Sequence, residues 1–598
     1  MKDFFKNVFA TVIGVFLTFG IIIAFGVISL IGTLASSSSQ PEIKDNSVLV
    51  LNLQGNITEK SGEDILGMLT GNETNTLGLN DILAAIEKAK DNDKIKGIYI
   101  KAGIIASDYA TLQEIRAKLL EFKQTKKWIV AYGDDYMQGT YYLASVADKV
   151  YLNPLGHLEW RGIASQPMYY KDMLEKIGVR FNAIKVGTYK SATELFTETG
   201  MSEANREQVT KYITGLWENV VNEVSKSRGI SVSQLNTYAD GVMLFENAAD
   251  IKAKKMVDQL LYADQVKAEV KKRLGIDSDE AVNQVSVKTM AASETKKGVY
   301  AGDGDQIAVY YCQGDIVMSN TAGYSSPANS QIVAKDVCKD MENLMNDDDV
   351  KAVVIRINSG GGDAYASEQM WHYISELKKV KPVVVSMGGL AASGGYYMAC
   401  NASWIVAEPT TLTGSIGIFG LLPDMSGLLT QKLGLRFDEV KTHKNSAFSP
   451  VATARPLTED EIAFIQTYIN KGYELFRKRV ADGRNMKVED VEKIAQGRVW
   501  LGQDAMKLKL VDQLGTLDAA VKKAAALAKL NEYHTADYPA QADWTTQLIS
   551  QTVNGGGNEL DEQLRRNLGA FYEPFVLVRT LNEQSPIQAR IPFILNMK

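Results

Sequence analysis

The sequence predicts an α/β protein of two tandem units behind a single membrane-spanning helix. Three observations predict it: a long uncharged apolar stretch near the start, an internal repeat, and β-branched runs alternating with helical patterns. At 598 residues the chain exceeds what one compact core normally holds. Its 65 basic and 71 acidic residues leave a formal charge of −6, so no basic field favours nucleic acid and no extreme acidity points to disorder. Cys312, Cys338 and Cys400 cannot complete a disulfide framework. The four histidines (His157, His372, His443, His534) lie far apart and in no metal-ligand spacing, so neither a metal nor a Ser-His-Asp triad is expected.

From Asn7 to Pro41 there is no charged side chain, and Val8–Ala35 is nearly all apolar or small. Twenty-eight helical residues reach about 42 Å at ~1.5 Å per residue, enough to cross a ~30 Å hydrocarbon layer with tilt. A cleaved signal has an apolar region of roughly 7–15 residues, so an uncleaved signal-anchor over 7–35 is expected. Lys2 and Lys6 precede it, which by the positive-inside rule keeps residues 1–6 cytoplasmic and sends the bulk of the chain across the membrane. A polar linker, 36–46, follows.

Beyond the linker the chain repeats itself. Val48–Ile57 (VLVLNLQGNI) recurs as Ile307–Ile316 (IAVYYCQGDI), and Asp93–Ile100 recurs as Asp348–Ile355. Trp128–Pro154 matches Val383–Pro409, and GVRF at Gly178–Phe181 matches GLRF at Gly434–Phe437. Order is preserved throughout, so two copies are expected, 47–276 and 305–535, joined by a polar connector, 277–304. Residues 536–598 have no third counterpart and read as a C-terminal extension. Within copy one the pattern predicts strand Val48–Leu53, a helix near Leu79–Lys90, strand Ile95–Ile100, helix Leu112–Thr125, strand Lys127–Ala131 and helix Gln138–Ala147. Uninterrupted apolar runs such as VVIRI and VVVSM suit parallel strands covered on both faces.

The copies diverge where chemistry would sit. After strand Val353–Ile357 the second copy has Asn358-Ser359-Gly360-Gly361-Gly362-Asp363, where the first has Gly103 to Asp108. After Val383–Met387 it has a glycine-rich turn in which Ser393 stands opposite Gln138 of the first copy. A glutamine cannot be an acyl-transfer nucleophile. Ser393 at the start of a helix could be, with the N–H of Gly394 and a donor from Gly361 or Gly362 facing the oxyanion. An isolated ASGG is elsewhere an N-cap serine in a tight turn; the asymmetry between copies is what sets this one apart. With histidine scarce, the base points to a lysine whose charge burial suppresses. Lys190 (VGTYKSA) and Lys444 (KTHKNS) both qualify, and residue chemistry does not separate them. GxSxG and a nearby SxxK are both absent.

The motifs QGDI (Gln313–Ile316), NSGGG (Asn358–Gly362), AASGGYYMA (Ala391–Ala399) and TLTGSIGIFG (Thr411–Gly420) together resemble the long-form signal peptide peptidase A family, also called protease IV. The likeness covers nearly the whole chain. It implies tandem crotonase-like (ClpP-like) ββα-superhelix units preceded by one transmembrane helix, and a serine endopeptidase with a Ser-Lys dyad. On it Ser393 is the nucleophile and Lys190 the general base and acid, with Lys444 second because the Lys441–Asn445 segment partly matches the short-form lysine motif. Gly414, Ser415, Ile416 and Gly417 are substrate-binding candidates. No cofactor or metal is implied. The resemblance also implies signal-peptide remnants and similar extended apolar peptides as substrates, a homotetramer, lipid contact through the anchor, no nucleic-acid partner, and a bacterial inner membrane with the catalytic region on its extracytoplasmic side. Two other classes remain at this level: a crotonase-type acyl-CoA thioester enzyme and an inactive membrane scaffold.

Overall fold

The computed structural model describes residues 14, 17, 18, 42–61, 76–294, 304–319, 331–539, 567–569, 572 and 587–591. The expected span, 7–35, lies outside them except at three positions, and so does part of the 36–46 linker. Among the described residues no helix is long and apolar enough to cross a membrane.

Each copy builds a parallel sheet. In the first the order is Thr76–Gly78, Ser47–Thr58, Ile95–Ala106, Trp128–Tyr136, Lys149–Leu158 and Gln259–Leu260. In the second it is Val499–Leu501, Leu412–Gly414, Val383–Ala392, Val350–Ser359, Asp305–Gln313 and Tyr533–Tyr538, with only Val499–Leu501 antiparallel to its neighbour. The uninterrupted apolar runs are explained by burial on both faces. Along Val350–Ser359 the side chains of Val353, Ile355 and Ile357 enter one core, while Val354 joins Ile307, Val309, Val384 and Val406 beneath helix Leu517–Ala528. Period-two alternation sends successive residues to opposite sides, so both sides must be apolar.

The segment expected as a connector contributes more than a link. Asn283–Ser286 pairs in parallel with Ser47–Val50 of the first sheet, and Tyr533–Tyr538, which crosses the expected boundary between the second copy and the extension, pairs in the same way with Asp305–Tyr310. The repeat therefore continues through these two strands. Each covers an edge that would otherwise present unpaired backbone groups, and each is short and only partly buried, so its sequence carries little apolar pattern.

A third sheet joins the copies. Its order is Gln331–Val333, Asp315–Val317, Gly361–Asp363, Ile587–Arg590, Phe419–Asp424 and Arg180–Lys185. Arg180–Lys185 comes from copy one and pairs antiparallel with Phe419–Asp424 of copy two over six residues, Lys185 opposite Phe419 and Arg180 opposite Asp424.

Buried charge ties the copies together a second time. The Arg356 guanidinium donates to Glu59 Oε2 at 2.9 Å, to Glu114 Oε2 at 2.6 Å and to Ser386 Oγ at 3.0 Å. All three charged groups are buried. Asn358 Nδ2 donates to the other Glu59 oxygen at 2.9 Å, and Leu517 N–H to the other Glu114 oxygen at 2.6 Å. Both carboxylates belong to copy one and the arginine to copy two. Removing the cation strands two buried acids, so Arg356→Met is expected to lower stability by about 3–5 kcal/mol. Urea unfolding at neutral pH measures this, with Lys379→Met, on an exposed Lys379–Glu376 pair, as a control expected to leave the midpoint in place.

Candidate active site

Strand Val383–Ala392 ends at Ser393 and helix Gly394–Ala399 follows. Ser393 adopts φ 54° and ψ −113°, a conformation that costs a residue with a Cβ about 1–3 kcal/mol. Two backbone bonds hold it there: Ser393 N–H donates to Gly414 C=O and Tyr397 N–H to Ser393 C=O, both at 2.8 Å. In copy one the corresponding helix begins at Gln138 itself, after an extended Met137. The Gln138 amide is fully engaged in structure. It donates to Tyr109 Oη at 2.7 Å and Gly162 C=O at 3.2 Å, and accepts from Arg161 and Gly162 N–H, each at 3.1 Å.

Lys190 reaches Ser393 from the other copy and the same chain. Strand Arg180–Lys185 brings the backbone to copy two, and the following loop docks against residues 496–499. Tyr189 N–H donates to Gln496 C=O at 3.0 Å, Gln208 Nε2 donates to Tyr189 C=O at 3.0 Å, and Val499 N–H donates to Gln208 Oε1 at 3.2 Å. Gly497, at φ +79°, lets the chain press on Lys190; a Cβ there would lie 2.6 Å from Lys190 Cβ. Lys190 Nζ then lies 2.8 Å from Ser393 Oγ, 3.0 Å from Ser415 Oγ and 3.2 Å from the Ser415 carbonyl. Both Lys190 and Ser393 are wholly buried. Burial pushes the Lys190 ammonium well below its ordinary lysine value, because no water remains to solvate the charge.

Gly361 sits at φ +97° in the turn beside Ser393. Its N–H donates to Ser359 Oγ at 3.1 Å, and that hydroxyl donates to Gly314 C=O at 2.6 Å, which fixes the turn. Its Cα side faces Gly394: a Cβ on Gly361 would lie 2.7 Å from Gly394 N. Lys444 is not brought to this site. Its side chain is 78% exposed and ion-paired with Asp460. The stretch 414–417 lies behind the Lys190–Ser393 pair and is buried throughout. Ile416 is part of the core, and Gly417 C=O is 3.5 Å from Ser393 Oγ. Ser415, a substrate-binding candidate from sequence, instead contacts Lys190. Its positive φ of 49° turns both its hydroxyl and its carbonyl toward the amine, a geometry that TLTGSIGIFG does not reveal. Gln208 and Gly497 were missed altogether: Gly497 meets Lys190 from the other copy, and Gln208 steadies the neighbouring Tyr189 by also accepting from Val499 N–H of copy two.

The model of peptidase family S49 matches residues 121–277 and 375–531, once in each copy. The chain belongs to peptidase family S49. Among its relatives, protease 4 of Salmonella typhi is 35% identical over 531 residues, 87% of this chain and 84% of that protein. Protease 4 of Haemophilus influenzae is 33% identical over 568 residues, 90% and 89% of the two chains. The chloroplastic serine protease SPPA of Arabidopsis thaliana is 30% identical over 489 residues, 82% and 70%. This S49 peptidase is thus of the long form, with two tandem family domains, and is a serine endopeptidase acting on peptides. Nothing in these likenesses points to an acyl-CoA thioester enzyme.

The depressed lysine has a consequence for stability. Unfolded, Lys190 holds its proton up to the ordinary lysine range; folded, it gives the proton up at lower pH. The folded state therefore pays a penalty that is complete below the depressed value and fades as pH rises toward the ordinary one. Lys190→Met is expected to stabilise the S49 peptidase more at pH 7 than at pH 10, as read by urea midpoints at the two pH values. Ser415→Ala removes one partner of the amine and is expected to slow peptide hydrolysis about 10-fold, the cost of ~1–3 kcal/mol for a lost buried hydrogen bond. Steady-state kinetics measure this.

Proposed function

We propose that Ser393 is the nucleophile and Lys190 its general base and acid, in a membrane-anchored peptidase that cleaves extended apolar peptides such as signal-peptide remnants. The observation that carries this reading is the 2.8 Å approach of a buried lysine amine to the hydroxyl of a strained, buried serine. An uncharged Lys190 accepts the Ser393 proton as Oγ attacks the substrate carbonyl. Gly394 N–H is the oxyanion donor on this reading, with Gly362 as the second candidate, because the Gly361 N–H offered by the sequence is engaged by Ser359 Oγ. Lys190 then protonates the leaving amine, and afterwards takes a proton from the water that hydrolyses the acyl-enzyme. Ser415 holds the amine in line through each transfer.

The membrane anchor is supported by the uncharged stretch 7–41 and by the lysines before it. With the N-terminus inside, the dyad works on the outer side of a bacterial inner membrane. The substrate class and a homotetrameric assembly follow from the resemblance to long-form signal peptide peptidase A.

A fluorophosphonate probe tests the nucleophile: wild-type chain is expected to label once, and Ser393→Ala not at all. Retained labelling in that variant would move the nucleophile elsewhere. Lys190→Ala is expected to lose about 10²–10⁴-fold in peptide hydrolysis, the usual worth of general acid-base catalysis, while Lys444→Ala keeps wild-type turnover. The opposite pattern would transfer the base to Lys444.

A further inference from the structure

Lys190 is buried by the meeting of two loops, 186–190 of copy one and 495–499 of copy two. At two glycines their backbones touch directly. Gly187 sits at φ +98°, where a Cβ would lie 2.5 Å from the Gln496 carbonyl oxygen, and a Cβ on Gly497 would lie 2.7 Å from Lys190 N. Gly417 closes on the side chain as well: a Cβ there would lie 3.4 Å from Lys190 Cδ. The backbone bond from Tyr189 N–H to Gln496 C=O joins the loops. The amine stays dry only while they remain shut.

Arg498 grips both sides of this contact. Its carbonyl accepts from Ser415 N–H at 2.7 Å, so its backbone sets the residue whose hydroxyl and carbonyl face the amine. Its guanidinium crosses to copy one. Nη1 donates to Tyr189 Oη at 3.1 Å and Nη2 to Glu207 Oε1 at 2.6 Å, and Tyr189 Oη donates to Glu207 Oε2 at 3.1 Å. The three side chains close a ring of hydrogen bonds one residue away from Lys190. The guanidinium carbon also lies 4.5 Å from the centre of the Tyr189 ring and 4.6 Å from that of Trp500, which the Lys211 ammonium approaches at 4.9 Å. A solvated ion pair alone would hold the loops weakly. Here the Arg498 side chain is only 17% exposed, and its planar fork serves two acceptors while meeting two aromatic rings, which an ammonium cannot do.

We infer that Arg498 is a positioning residue for the dyad, its side chain latching the copy-one loop onto copy two and keeping water from Lys190. This rests on Ser393 and Lys190 acting as stated above. With the latch gone, water reaches the amine and solvates its charge, so Lys190 keeps its proton to higher pH. Loss of the positive guanidinium acts in the same direction. Among the described residues the amine meets the Ser393 hydroxyl, the Ser415 hydroxyl and carbonyl and, at 5.9 Å, the Phe419 ring. The charged groups of the latch are Arg498, Glu207 and Lys211. Hydrogen bonds from Arg498 and Tyr189 hold the Glu207 carboxyl below its ordinary range, so it stays ionised at neutral and alkaline pH.

The rate of fluorophosphonate labelling, followed against pH in the full chain in detergent, tests this, because it reads the state of the base with no peptide bound. The wild-type rate is expected to rise with pH as Lys190 loses its proton. Arg498→Met is expected to move that rise to higher pH, labelling about 10-fold more slowly at neutral pH and approaching the wild-type rate when alkaline. The Arg498 carbonyl, and with it the Ser415 bond, is kept in the variant. Arg498→Lys retains the charge without the fork; it is expected to move the rise the same way and decides the matter if Arg498→Met does not fold. A rise left at the wild-type pH overturns the latch, and so does an equal loss at every pH, which is the mark of damage to the fold alone. Lys190→Ala labelling at the wild-type rate would instead overturn the dyad on which the inference rests.

Discussion

An amine kept dry is the constraint on which the rest of this structure depends. Lysine at neutral pH gains more from hydration than from almost any protein contact, so a wholly buried Lys190 has to be held in place by packing that the chain maintains at a cost. The loop that carries it is pinned by backbone bonds at Tyr189, by Gln208 and by the close approach of Gly497. What faces the amine is two hydroxyls and a carbonyl, from Ser393 and Ser415. None of these partners supplies the negative charge that would restore the proton.

Two copies of one scaffold make this possible. Copy two provides the strained serine and the glycine turns, and copy one lends a strand, Arg180–Lys185, to a sheet otherwise made of copy-two and C-terminal segments. The buried Glu59–Arg356–Glu114 cluster fixes the relation between the units, because its opposite charges are divided between them. The same backbone position then serves different ends. Gln138 closes a structural hydrogen-bond set in one copy, while in the other Ser393 is left with a hydroxyl turned to a lysine.

Much of this was legible in the sequence, for reasons that can be stated residue by residue. The repeat declared two α/β units, and the doubly apolar strands declared parallel sheets, because burial on both faces leaves no polar alternation. The difference between Ser393 and Gln138 pointed to a candidate site by comparison within one chain. Lys190 and Lys444 could not be separated by residue chemistry, since what distinguishes them is burial, and burial here comes from contacts with copy-two residues 203 and 225 positions away. The motif resemblance favoured Lys190; local composition alone did not. Short strands such as Asn283–Ser286, Tyr533–Tyr538 and Ile587–Arg590 were hidden for a related reason. Each is extended because an existing edge or slot accepts it, so its own residues need no strong β pattern. The role of Ser415 was hidden because a positive φ decides where its oxygen points.

The protonation state of Lys190 in the free chain tests the central claim most directly. NMR of chain labelled with ¹⁵N at lysine Nζ, assigned by comparison with Lys190→Met, reads it at neutral pH while exposed lysines such as Lys444 remain charged. A neutral amine at position 190 is the expected result. A fully protonated Lys190 at neutral pH, in a chain that is hydrolysing peptides, would contradict a dry lysine acting as the base.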